Sequence, residues 1–137
     1  MKSIISTVFL TILILFKMNA QEQSFKTIET NSFKLQVYNA SENSFGVASV
    51  IISGKNEAVL IDAQFTLGDA EKVAKEIKNS GKKLTTIYVS HGDPDFYFGL
   101  EVFKKYFPGV TAYASPATVE HIKATAQKKL EVWGEKL

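Results

Sequence analysis

A chain of 137 residues has room for one small domain, and the absence of cysteine excludes disulfides, cysteine-based zinc sites and lipid-modified cysteine. The formal net charge is +2, and the bases are all lysine, scattered with no run longer than two. Nucleic acid is therefore not expected as a partner, because nothing tracks a phosphate backbone.

The first segment reads as a leader. Lys2 supplies a short positive region, Ile4 to Phe16 an apolar one, and Met18-Asn19-Ala20 ends on the small residue that signal peptidase favours. This predicts a signal peptide over residues 1–20, cleavage after Ala20, a mature domain over 21–137 and a periplasmic or secreted location. A retained membrane anchor is the alternative, but the apolar run falls short of the roughly 20 residues that span a bilayer. Lys2 and Lys17 leave with the leader and no acid does, so 14 of the 16 lysines face 14 acids and the mature charge is zero.

Two β-type runs follow, Phe25 to Thr30 and Phe33 to Tyr38, separated by Asn31-Ser32. Phe33, Leu35 and Val37 alternate with polar residues, as in a half-buried strand after a tight turn. A third strand is predicted over Val47 to Ile52 and a fourth over Ala58 to Ile61, giving an antiparallel meander. The fourth runs into Asp62, which on its own reads as a turn or helix cap.

The period then changes. Ala70, Val73, Ala74 and Ile77 recur at helical spacing, with Gly81 where a helix C-terminus needs one. A strand over Leu84 to Val89 completes a βαβ-like unit, whose ligand position is the carboxyl end of the strand. Phe96 to Phe107 is predicted as one helix, stopped by Pro108-Gly109, and Val110 to Ala114 as a strand. Ser115-Pro116 opens a last helix with an apolar stripe of Val119, Ile122, Ala126, Leu130 and Trp133. His121 falls opposite that stripe and reads as a solvated surface residue.

The chemistry concentrates in Ser90 to Gly99. His91, Asp93 and Asp95 occupy alternate positions after the strand. If the backbone stays extended, an imidazole and two carboxylates share one side and could converge on a cation. Such donors suit zinc or iron. Pro94 biases Asp93 away from helical angles. The same residues also describe a surface Asp-Pro turn beside an ordinary histidine.

This stretch resembles the metal-binding signature of the metallo-β-lactamase superfamily, Thr/Ser-His-x-His-x-Asp-His-x-x-Gly at a strand end. Ser90, His91, Asp95 and Gly99 match; Asp93 replaces the second histidine and Phe96 the third. Leu60-Ile61-Asp62-Ala63 is similar to the family's strand-end Leu-Ile-Asp-Thr-Gly, whose aspartate supports the metal site. The resemblance implies an α/β fold, the first half of an αββα sandwich in which the meander is followed by βαβα units. It runs from Phe33 to about Leu137, and the later ligands lie beyond, so the domain is expected to be incomplete.

The implied activity is metal-assisted hydrolysis of a small-molecule ester, thioester, lactone or amide, β-lactams included, with a bound cation activating water. His91 and Asp93 would hold the first metal. Asp95 would hold a second, or act as the catalytic base on water if only one is present, with Asp62 in support. Phe96 cannot bind metal, so one zinc at most is expected. Asp93 makes the motif similar to the His-x-Glu-x-Asp pattern of flavodiiron proteins, which keeps iron and manganese in play. A superfamily member that has lost its chemistry and serves as a binding or structural domain is the second reading, and a generic exported α/β domain the third. An uncovered sheet face containing Val50, Ile52, Val59, Ile61, Ile87 and Val89 would drive self-association.

Overall fold

A computed structural model of the chain describes residues 25–137. The leader expected over 1–20 and its cleavage point lie outside the described residues. Six strands form one sheet in chain order: β1 (Lys26–Glu29), β2 (Lys34–Asn39), β3 (Ala48–Ser53), β4 (Glu57–Ile61), β5 (Lys83–Val89) and β6 (Thr111–Ala114). Pairing is antiparallel from β1 to β4 and parallel from β4 to β6. The predicted meander and βαβ unit are thus both present.

The change to parallel pairing needs crossovers, and helices supply them. Helix α1 (Leu67–Asn79) joins β4 to β5. It buries Ala70, Val73, Ala74 and Ile77, the stripe expected from the spacing, and Gly81 follows its C-terminus at φ 70°. Burial of Val73 and Ile77 contributes about 1.5–3 kcal/mol each. Between β5 and β6 the predicted single helix is two, α2 (Pro94–Tyr97) and α3 (Leu100–Tyr106). The last helix, α4, is Pro116–Trp133, with Ser115 as its cap. No helix among the described residues is long and apolar enough to cross a membrane.

Gly99 explains the break. Its N–H donates to Gln64 O at 3.0 Å, and a Cβ there would lie 2.1 Å from Ala63 O and 2.6 Å from Ala70 Cβ. The chain is pressed against the β4–α1 loop at that point, and a continuous helix would push the two apart.

The sheet face expected to carry six apolar residues carries four of them. Val50, Ile52, Val59 and Ile61 are half-buried on one face, whereas Ile87 and Val89 are buried on the other, in the core with α1 and α3. Pairing shifts register between Ala58↔Leu84 and Val59↔Thr86, so Thr85 is an extra residue that inverts the alternation of β5. The stripe of α4 also differs from expectation, since the helix buries no residue fully and Leu130 and Val132 are exposed.

A buried carboxylate fastens α1 to the meander. Asp69 accepts hydrogen bonds from Tyr38 Oη at 2.5 Å, Ser44 Oγ at 2.8 Å, Thr66 Oγ1 at 2.8 Å and Lys72 Nζ at 3.1 Å. Burial pushes its pKa up, but the four donors together outweigh burial and hold it below the usual carboxylate range. Such a group stabilises the fold above its unfolded pKa, and that stability is lost as pH falls through the lowered folded value.

Two outcomes are expected. Asp69→Asn should cost at least about 2 kcal/mol at neutral pH, and urea titrations below about pH 4 should find the variant losing less stability on acidification than the parent. Gly99→Ala should cost about 3 kcal/mol by overpacking, read as a lowered urea midpoint, because the nearest obstacle is backbone.

Candidate functional site

Strands β4 and β5 run parallel and end side by side, at Ile61 and Val89. Asp62 leaves the first and Ser90-His91 the second. Asp62 takes a left-handed φ of 60°, which aspartate tolerates better than most residues. There its Oδ1 accepts the Ser90 N–H at 2.7 Å and its Oδ2 the Ser90 O–H at 2.8 Å. Burial pushes the Asp62 carboxyl above its ordinary pKa, and the two Ser90 bonds and His91 offset this only in part.

These contacts decide the state of His91. Ser90 Oγ has given its single proton to Asp62, so its 2.9 Å contact with His91 Nδ1 requires Nδ1–H to donate. In the neutral imidazole this contact leaves the lone pair on Nε2, the form that binds a cation or takes a proton. The ring of Phe96 lies against it, centroids 4.6 Å apart.

The two aspartates depart from the expected geometry. The extended run ends at Val89; after a bend, Pro94 opens α2 with Asp93 extended at its cap, φ −90° and ψ 152°. His91, Asp93 and Asp95 consequently do not project from one strand. Asp93 Oδ1 accepts from Lys129 Nζ at 3.0 Å, and the same ammonium donates to Gly92 O at 2.7 Å. Asp95 is half-buried in the first turn of α2. Burial pushes its pKa up; its own backbone N–H and His91 pull it down, while Asp93 and Asp62 add to the rise. An open cavity of about 300 Å³ beside these groups is lined by Phe45, Asp93, Pro94, Asp95, Lys129 and Trp133.

Lys129 and His121 are participants that the sequence reading missed. His121 is exposed, as the helical wheel requires, yet its ring lies on Gly92 and its Nε2 is 3.0 Å from Lys129 Nζ. No sequence signal marks Lys129, one of two adjacent lysines on a helix.

Whether these residues fit a metal follows from the same contacts. Among the described residues no three His, Asp or Glu side chains are grouped to hold an ion. Asp93 is engaged by an ammonium, and Phe96 offers no donor where the resemblance expects one. The described residues around His91 do not by themselves fit a bound metal.

The metallo-beta-lactamase superfamily model matches residues 43–134, more than half of the chain. The chain belongs to that superfamily. Among solved structures it resembles the DIM-1 metallo-beta-lactamase, with 17% identity, a TM-score of 0.58 and coverage of 75% of this chain and 47% of that one. The metallo beta lactamase from Hirschia baltica gives 14% identity and a TM-score of 0.59, covering 75% and 48%. FIM-1 from Pseudomonas aeruginosa, in its mono-zinc form, gives 14% and 0.58, covering 78% and 50%. At such identities these likenesses show the fold, and the chain spans about half the length of each structure. No curated protein matches the sequence.

Ser90→Ala should cost about 1 kcal/mol of stability and release His91 from its single tautomer. Imidazole ¹⁵N shifts at neutral pH will report this, and an unchanged Nδ1–H population would show that Asp62 and Ser90 do not set it.

Proposed function

We propose that this chain supplies the strand-end wall of an exported superfamily hydrolase acting on a small-molecule ester, thioester, lactone or amide, β-lactams included. The observation that carries the reading is the run of hydrogen bonds from Asp62 through Ser90 to His91. An exposed surface histidine has no structural need of a fixed tautomer, whereas a ligand or proton acceptor does. Asp95, its pKa raised by burial beside the open cavity, is the carboxylate suited to take a proton from water. Export with cleavage after Ala20 is supported by the leader-like composition of residues 1–20.

A metal in the complete enzyme needs donors from outside the described residues. His91 Nε2 is this chain's contribution, and Phe96 against the imidazole limits the site to one ion, zinc before iron or manganese. A specific pair of contacts favours a second reading, a binding or structural domain without chemistry. Lys129 neutralises Asp93, and Phe96 covers one side of His91.

The full-length protein purified from its native source separates the two. A hydrolase should carry about one equivalent of metal and lose both metal and esterase or lactamase turnover in His91→Ala. Two tightly bound zinc ions per chain would overturn the single-ion assignment. A folded protein with neither metal nor turnover would establish the non-catalytic reading.

A further inference from the structure

The Lys129 ammonium sits in a cage of three acceptors: Gly92 O at 2.7 Å, Asp93 Oδ1 at 3.0 Å and His121 Nε2 at 3.0 Å. Lysine has three protons to donate and nothing with which to accept, so each contact uses one proton and His121 must present its Nε2 lone pair. The lysine side chain is only 17% exposed, against 60% for the aspartate it meets. A second feature fixes the cage. A Cβ on Gly92 would lie 2.5 Å from His121 Cδ2, so the imidazole occupies room that only a glycine leaves.

We infer that this cage is a cation site filled by the protein's own ammonium, and that it takes a divalent metal ion when Lys129 is withdrawn. An imidazole nitrogen, a carboxylate oxygen and a carbonyl oxygen form a mixed N/O set suited to zinc or manganese. Ammonium distances exceed metal distances by under about 1 Å, and the side chains that must close in, Asp93 and His121, are both exposed. Asp93 thus serves α4 rather than the site at His91. The Lys129 ammonium and a metal at Asp93 exclude each other, while His121 has to stay in place for either. The inference stands apart from the hydrolase reading, since neither His91 nor Asp95 takes part.

The test uses the whole chain and Zn²⁺ alone, titrated against a chromophoric chelator. Lys129→Met keeps the length of the side chain and removes its charge. It should bind one further Zn²⁺ at least about tenfold more tightly than the parent, and adding Asp93→Asn or His121→Gln should abolish that gain. Zinc binding unchanged by Lys129→Met, or a gain that survives Asp93→Asn, would overturn the inference. Circular dichroism verifies that the variant folds. Should it not fold, the parent protein decides by ¹⁵N NMR. His121 must be the Nδ1–H tautomer with Nε2 accepting, and an Nε2–H tautomer at neutral pH would refute the cage.

Discussion

The grip of Asp62 on Ser90 joins the architecture to the chemistry. Two parallel strands end next to each other, and one carboxylate takes both the backbone N–H and the hydroxyl of the residue leaving the neighbouring strand. The backbone continues the stitching. Asp62 N–H donates to Tyr88 O and Ala63 N–H to Phe96 O, at 2.9 and 2.8 Å. The loop after β4 is thereby tied to β5 on one side and to α2 on the other. Ionising a carboxylate under this burial costs free energy, and the left-handed backbone at Asp62 adds to the cost. The two Ser90 bonds offset part of it and fix the imidazole next door.

Much of this was legible from the residues. Alternation located the strands within a residue or two, helical spacing located α1, and Ser115-Pro116 marked the start of α4. Three things were not. The register of β5 depends on Thr85 slipping past Ala58, a pairing decision that leaves no trace in the composition of a run such as Leu84 to Val89. The break at Phe98-Gly99 arises from a contact with Ala63 and Ala70, about thirty residues away in sequence, so local propensity favours one helix. The partnership of Gly92, His121 and Lys129 joins a loop to a distant helix, and an amphipathic projection classes both side chains as solvent-facing.

The candidate site shows how a motif match and a site differ. Residue types at matched spacing are necessary for metal chemistry, but ligation also needs donors with free lone pairs aimed at one point. Of the three expected donors, His91 is oriented by its neighbours, with Nδ1 engaged by Ser90 and Nε2 left to face outward contacts. Asp95 is held in a helical turn, and Asp93 is already engaged by a cation belonging to the protein. Superfamily membership rests on the match over residues 43–134 and on the shared fold, and neither depends on how these carboxylates are used.

Helix α4 has a mechanical consequence. It leaves β6 through the single residue Ser115, which would be the pivot of any tilt, and although it buries none of its side chains fully, its far end packs through Trp133 against the rings of Phe45 and Phe65. Lys129 lies roughly 20 Å along the helix at 1.5 Å per residue, and His121 less than half as far. A tilt of about 10° at the pivot would therefore sweep the ammonium through roughly 3.5 Å while the imidazole moved under half as much. Such a tilt would amplify angle into displacement, and the far half of the helix carries the cation that pairs with Asp93 among the described residues.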